Sequence, residues 1–266
     1  MGKFDGILLL SDWDGTLAYS RESGTISDPI VPEENIRALQ YFQENGGVFA
    51  VCSGRPCRFF DRYRGVVSPD YIIGFGGALT VKFDTAAVLY SGFAGVEAFD
   101  FIDDALALVG DGLIRSIVTY DNDGLTDYTV EEYRAAKEEL RGRSFYKWAF
   151  RPYTAEGGDE IMRIMRKSEN PLFLFVRSWA FGLEIIRREC SKGAALLRLK
   201  ERVGAKIAIA VGDNDNDLDM LEAADISYAV GDGNPALQAL ADHITSGVRD
   251  GAIASLICDI EKTLDL

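Results

Sequence analysis

The chain has 266 residues, enough for one large α/β domain or for a core with a smaller second domain, and 47% of them are apolar, enough for a real core. Its 28 basic residues against 42 acidic ones leave a formal net charge of −14, which repels phosphate backbones and argues against nucleic-acid and anionic-membrane partners. The cysteines, Cys52, Cys57, Cys190 and Cys258, form no CxxC pair and suggest neither zinc nor a disulfide framework. The one histidine, His243, excludes HExxH chemistry and reads as structural or surface.

In chain order, Gly6 to Ser11 reads as a buried strand, and its apolar run is too short for a signal peptide or a membrane span. A cytoplasmic protein is expected. Pro32 to Asn45 reads as a helix with Ile36, Leu39 and Phe42 on one stripe and Gly46 as its stop. Val48 to Cys52 is a second strand, Pro56 to Arg64 a helix, and Tyr71 to Gly74 a third strand. This β-α-β-α-β order implies a parallel sheet with right-handed crossovers. From Leu79 to Arg187 the pattern changes to grouped elements: helices at Val96–Val109 and Asp159–Lys167, a strand at Ile114–Tyr120, and a hairpin from Phe173 to Ile186 bent near Gly182. Alternation then returns. Ser191 to Val203 is a helix with Leu196, Leu197 and Leu199 inward, and Ile207 to Val211 a strand. Asp217 to Ala224 is a helix, Ile226 to Val230 a strand, Pro235 to Ala241 a helix, and Gly251 to Leu264 a last helix carrying Ile253, Leu256, Ile257 and Ile260 on one face. The fold class expected is α/β: a doubly wound parallel, Rossmann-like core over 1–78 and 188–266, interrupted by an α+β cap over 79–187.

Four short segments carry candidate chemistry. Asp12 and Asp14 follow the first strand, where side chains at i and i+2 face the same way and where open α/β sheets bind ligands. Two close carboxylates can divide into a nucleophile and a general acid, or they can be an acidic turn. Gly212-Asp213-Asn214-Asp215-Asn216-Asp217-Leu218-Asp219 follows another apolar strand. Its aspartates suit either a helix N-terminus or a magnesium site of hard oxygen ligands. Lys192 stands in the first turn of a helix, against the dipole; it is either solvated or a bridge between a carboxylate and a phosphate. Cys52-Ser53-Gly54-Arg55-Pro56 offers a hydroxyl and backbone N–H groups at a helix start, which can hold a phosphate or be ordinary loop chemistry. Gly74-Phe75-Gly76-Gly77-Ala78 fails the dinucleotide spacing and reads as a flexible entry to the cap.

Together the four segments resemble the haloacid dehalogenase superfamily of phosphotransferases: DxDGT, a Ser/Thr at a strand end, a lysine, then GDxxND. The resemblance covers about 6–78 and 188–260, and the insertion looks like the larger cap (type IIB) of the Cof-type subfamily. It implies a magnesium-dependent phosphatase that acts on small phosphorylated metabolites, sugar phosphates foremost, through an aspartyl-phosphate intermediate. A phosphomutase, or a catalytically silent phosphate- and metal-binding regulator, is the alternative. By the same resemblance Asp12 is the nucleophile and a metal ligand, and Asp14 the general acid/base with its backbone carbonyl on the metal. Thr16 orders the loop, Ser53 and Gly54 bind the phosphoryl group, and Lys192 stabilises its charge. Asp213 ligates Mg²⁺, Asp217 joins or supports the metal shell, and Asn216 lies near the phosphate. Two positions depart from the pattern. Gly76-Gly77-Ala78 replaces the usual Asn-Gly-Ala, and Trp13 is bulkier than the usual aliphatic residue and is expected to pack in the core. Arg151, Lys147, Tyr153, Arg177 and Trp179 are candidate cap contacts or plain surface residues.

Overall fold

The computed structural model describes residues 2–20, 28–168, 170–179 and 181–264. It divides into two compact units, Met1–Leu89 with Lys192–Leu266, and Tyr90–Ser191.

The chain begins with β1 (Ile7–Ser11), α1 (Glu33–Glu44), β2 (Val48–Cys52), β3 (Tyr71–Gly74), β4 (Leu79–Lys82) and β5 (Val88–Ser91). Then come α2 (Glu97–Val109), β6 (Ile114–Asp121), β7 (Gly124–Tyr128), α3 (Val130–Leu140), β8 (Lys147–Pro152), α4 (Ala155–Met165), β9 (Phe173–Trp179) and β10 (Gly182–Arg187). The last stretch holds α5 (Lys192–Val203), β11 (Ile207–Gly212), α6 (Leu218–Ala223), β12 (Ile226–Ala229), α7 (Pro235–Leu240), β13 (His243–Ile244) and α8 (Ala252–Thr263).

The first unit is built on a sheet of order β13-β12-β11-β1-β2-β3-β4-β5. The run from β13 to β3 is parallel, and β4 returns antiparallel to β3. All five residues of β1 are buried because the sheet is covered on both faces. Leu9, Phe49, Val51, Ile209 and Val211 face a cluster with Leu39 and Phe42 of α1 and Ile253, Leu256, Ile257 and Ile260 of α8. Leu8, Leu10, Ala50 and Ala210 face the other side, with Leu196 and Leu199 of α5, Met220 of α6 and Leu237 of α7. The apolar runs without period-2 alternation therefore belong to strands that meet helices on each side.

The second unit is an antiparallel sheet of order β7-β6-β8-β10-β9. One face of it packs Trp148, Phe150, Leu183 and Ile185 against Phe99 and Ile102 of α2, Tyr133 of α3 and Ile161 of α4. Thr129 and Glu132 form a capping box at the start of α3, and Thr154 caps α4. Within this unit Lys147 is buried and donates to Glu184 Oε1 at 2.5 Å, and Arg151 pairs with Asp127 at 2.5 Å. Arg177 pairs with Asp159, while Tyr153 and Trp179 are exposed.

Several elements differ from the sequence reading. Gly74 to Ala78 is the turn from β3 to β4 inside the first unit's sheet, with Phe75 itself at φ 53°, so it is not an entry to the second unit. The units change at Leu89/Tyr90 and Ser191/Lys192 rather than at Ala78/Leu79 and Arg187/Arg188. Pro56 to Arg64 is a 3₁₀ stretch, Cys57–Tyr63, rather than an α-helix. Leu197 is 52% exposed, because at 100° per residue it falls off the stripe that Leu196 and Leu199 share. The helix expected at Asp159–Lys167 begins at Ala155, where Thr154 supplies the cap.

Candidate active site

Three parallel neighbours, β11, β1 and β2, end level with one another: Ser11 is in register with Val211 and with Val51. Asp213, Asp12 and Ser53 are the residues at or just past those ends, so the strand order alone puts them on one edge. The chain leaves β1 toward β2 on one side and returns through β11 on the other, and a crevice outside the carboxyl ends of strands forms at such a switch point.

Lys192 lies at the centre. It is 2% exposed, and its Nζ donates to Asp12 Oδ1 and to Asp217 Oδ1, each at 2.6 Å. The solvated-lysine alternative is thereby excluded. The burial of Lys192 in the first turn of α5 is set by its neighbours. Gly193 N–H donates to Asp219 Oδ2 at 2.9 Å, and a Cβ at Gly193 would run into the Asp219 carbonyl, so α5 and α6 meet backbone to backbone there. Asp219 thus supplies an acceptor to a helix start whose own first side chain is a cation.

Asp12, Asp213 and Asp217 form the acidic cluster, with one oxygen from each within 4.8 Å of the others. Asp217 is fully buried. Its Oδ2 accepts from the backbone N–H of Asp213 and of Asn214, at 3.1 Å each, and its Oδ1 takes the lysine. Asp213 Oδ1 accepts from buried Thr16 Oγ1 at 2.9 Å. No protein hydrogen bond among the described residues reaches Asp12 Oδ2 or Asp213 Oδ2. Gly15, at φ 85°, lets the loop after β1 approach Asp213 so closely that a Cβ would meet its carboxylate.

Burial pushes the Asp12 carboxyl well above its usual range; the Lys192 charge opposes this, and Asp217, Asp213 and Asp14 add to it. Burial, then the Asp217 charge, raises Asp213 to about 7. For Lys192, burial works against the ammonium, but the Asp12 and Asp217 charges outweigh it and the group is held well above its ordinary value. The cluster thus holds more negative charge than one ammonium balances. A cation ligated by Asp12 and Asp213 fits this deficit, and the donor set is all hard oxygen, as magnesium requires.

The remaining predicted residues have distinct environments. Ser53 is buried; its Oγ accepts from Arg55 N–H at 3.2 Å, with half-buried Gly54 between them. Asn216 is half-buried on the 3₁₀ turn Asp215–Asp217. Trp13 points away from the two aspartates that flank it and packs edge-on against Phe60 and Tyr63. His243 stacks on Tyr228 at the far edge of the sheet.

Two residues were not singled out from the sequence. Arg55 grips Asp14 with both arms of its guanidinium. Asn234 donates its side-chain N–H to Asp215 Oδ1 at 2.5 Å and its backbone N–H to Asp213 O at 2.7 Å, tying the acidic loop to the start of α7. An Asn before a Pro that opens a helix was the available signal for Asn234; Arg55 had none beyond its place after Ser53.

No helix among the described residues is long and apolar enough to cross a membrane. A sequence profile of the haloacid dehalogenase-like hydrolases matches residues 9–257. The Bacillus subtilis (strain 168) protein YxeH, named provisionally as a phosphatase, is 25% identical over 273 residues, covering 95% of this chain and 97% of its own. From the same organism, 5-amino-6-(5-phospho-D-ribitylamino)uracil phosphatase YitU is 24% identical over 94% of this chain and 96% of its own. Among solved structures, the phosphatase BT1666 from Bacteroides thetaiotaomicron superposes with a TM-score of 0.75 at 20% identity, over 99% of this chain and 96% of that one. The subclass IIB sugar phosphatase BT4131 superposes with a TM-score of 0.70 at 18% identity, over 97% and 98%. With the profile spanning the site from β1 to α8, the chain belongs to the haloacid dehalogenase-like hydrolase family.

Proposed function

We propose that this enzyme is a magnesium-dependent phosphatase of small phosphorylated metabolites, sugar phosphates foremost, and that it works through a phosphorylated Asp12. The observation that carries the reading is Lys192 Nζ, 2.6 Å from Asp12 Oδ1 and 2.6 Å from Asp217 Oδ1, beside Asp213 at the ends of adjacent parallel strands. The buried Lys192 ammonium opposes the effect of burial on Asp12 and so favours its ionised, nucleophilic form. Asp12 attacks phosphorus, the bond from phosphorus to the ester oxygen breaks, and Asp14 protonates the departing alkoxide. Asp14 then takes a proton from the water that attacks the aspartyl phosphate, which releases inorganic phosphate and restores Asp12. Ser53, Gly54 and Asn216 hold the phosphoryl oxygens, and Thr16 fixes Asp213 against the loop after β1. Asp217, with both oxygens already occupied by Lys192 and two backbone N–H groups, anchors lysine and loop and leaves Asp12 Oδ2, Asp213 Oδ2 and the Asp14 carbonyl to hold the ion. Mg²⁺ held there would supply positive charge to offset that of an anionic ester and of the transferring group.

The substrate class has two supports. The buried Ser53 hydroxyl and Lys192 ammonium at the strand ends suit a phosphoryl group, and proteins of similar length are named as a sugar phosphatase and as a 5-amino-6-(5-phospho-D-ribitylamino)uracil phosphatase. The test is phosphate release from 4-nitrophenyl phosphate and from a panel of phosphorylated sugars and sugar alcohols, with Mg²⁺ and with EDTA. Turnover is expected with magnesium, none with the chelator, and Asp12→Asn is expected to be inactive. Full activity in EDTA removes the metal from the reading. More than a few per cent activity in Asp12→Asn removes the nucleophile.

A further inference from the structure

Asp12 and Asp217 bond Lys192, and Asp213 bonds Thr16, yet the Asp14 carboxylate has a different partner. Arg55 Nε donates to Asp14 Oδ2 and Arg55 Nη2 to Asp14 Oδ1, both at 2.6 Å, so the two planar groups meet fork to fork. Asp14 and Arg55 are each part-exposed, with side-chain exposures of 46% and 35%. An ion pair that wet adds little to the stability of a fold. Its value lies in orientation, since a bidentate guanidinium fixes both the distance and the plane of a carboxylate where a single ammonium fixes neither.

The guanidinium is itself held in place. Its carbon sits 4.0 Å from the centre of the Phe59 ring. Phe59 packs against Phe60 at 5.2 Å and edge-on to Trp13 at 6.3 Å, and Trp13 is the buried residue between Asp12 and Asp14. The backbone of Arg55 is fixed at the same time: its N–H donates to Ser53 Oγ at 3.2 Å, and its carbonyl accepts from Phe75 N–H at 3.0 Å. One chain of contacts therefore runs from the core through Trp13 and Phe59 to the Arg55 guanidinium and on to the Asp14 carboxylate.

We infer that Arg55 is a positioning residue for Asp14: seated on Phe59, its guanidinium sets the carboxylate's plane and reach for proton transfer at the ester oxygen. The inference rests on the reading of Asp14 as the acid/base. Arg55 acts through Asp14, so its loss matters in proportion to how much help the leaving group needs.

The experiment compares phenyl phosphate, a poor leaving group, with 4-nitrophenyl phosphate, a good one, in saturating Mg²⁺. The variants are Arg55→Met, which keeps a stem over Phe59, Arg55→Lys, Asp14→Asn and the double variant Arg55→Met/Asp14→Asn. General acid catalysis is typically worth ~10²–10⁴-fold, and misplacing the acid forfeits part of it. Arg55→Met is expected to lower kcat for phenyl phosphate by roughly 10- to 100-fold and for 4-nitrophenyl phosphate by several-fold less, with KM shifted by about twofold or less. Arg55→Lys is expected to fall between it and wild type. In the double variant, the arginine change is expected to add about twofold or less to Asp14→Asn, because a residue acting through another has nothing left to act on. Effects that multiply in the double variant, equal losses on both esters with a raised KM, or wild-type rates in Arg55→Met each overturn the inference; the second of these would make Arg55 a phosphate anchor. Should Arg55→Met fail to fold, the same cycle run with Arg55→Lys decides between multiplied and non-additive effects. Asp12→Asn, run beside them, separates the two levels: turnover in that variant removes the parent reading whatever Arg55 does.

Discussion

At the scale of single residues, Lys192 is the most constrained group in the site. It is one ammonium buried between two carboxylates, and removing one partner of a buried pair leaves charge that nothing solvates. Lys192→Met is therefore expected to abolish measurable turnover and to destabilise the metal-free protein by about 3–5 kcal/mol, read by urea denaturation in EDTA. Unchanged stability would mean that Asp12 or Asp217 simply takes up a proton at no cost. The sequence singled out the aspartates because they crowd at the ends of apolar runs, although an acidic turn or a helix N-terminus would use them too. The partner of Asp14 was not, because Asp14 and Arg55 are 41 residues apart and meet only through the packing of Trp13 on Phe59.

At the scale of elements, the site depends on how closely α5 and α6 approach. Gly193 has no Cβ to hold them apart, and Asp219 closes the gap with a hydrogen bond. Gly193→Ala is expected to push α5 outward, to cost about 1–3 kcal/mol as overpacking, and to reduce kcat at least tenfold because Lys192 moves with the helix. Chemical denaturation and steady-state kinetics on the same preparation check both. A stability loss with unchanged kcat would show that Lys192 is placed independently of α5. Elements with one dominant signal were legible: β1, β2, β3 and β11 as short apolar runs, α1 between Pro32 and Gly46, and α8 by its four isoleucine and leucine positions. Those not expected were β4, β5, β7, α3, β8 and β13. In β8 the buried Lys147 disguises one face of the strand until Glu184 across the sheet explains it. In α3 only Val130, Tyr133 and Leu140 are buried, too sparse a stripe to stand out from sequence.

For the whole molecule, the acidic cluster couples stability to pH and, on the proposed reading, to metal. Asp213 titrates near 7 in the fold against an ordinary value of 3.8, so the folded chain binds that proton more tightly than the unfolded chain does. Its contribution to stability is present below the ordinary value and is lost as pH rises through about 7; Asp12, raised in the same direction, adds to the trend. In EDTA the melting temperature is expected to be higher near about pH 6 than near about pH 8. On the proposed reading magnesium would bind the ionised carboxylates, so it is expected to raise the melting temperature more at the higher pH and narrow the difference. Thermal melts across that range, with and without Mg²⁺, check this. A gap between the two pH values that magnesium leaves untouched would put the titrating groups elsewhere.

What the sequence by itself determined was the alternation of strand and helix and the places where acidic, hydroxyl and basic residues end the apolar runs. Those are local matters of side-chain period and turn chemistry, written within a few neighbouring residues. Only the tertiary structure decided that β11, β1 and β2 end side by side, that Lys192 is buried between Asp12 and Asp217, and that β4 and β5 belong to the first unit's sheet. Each of those depends on pairing between residues far apart along the chain. Such pairing is settled by which faces can be buried together, and no local window of sequence contains both partners.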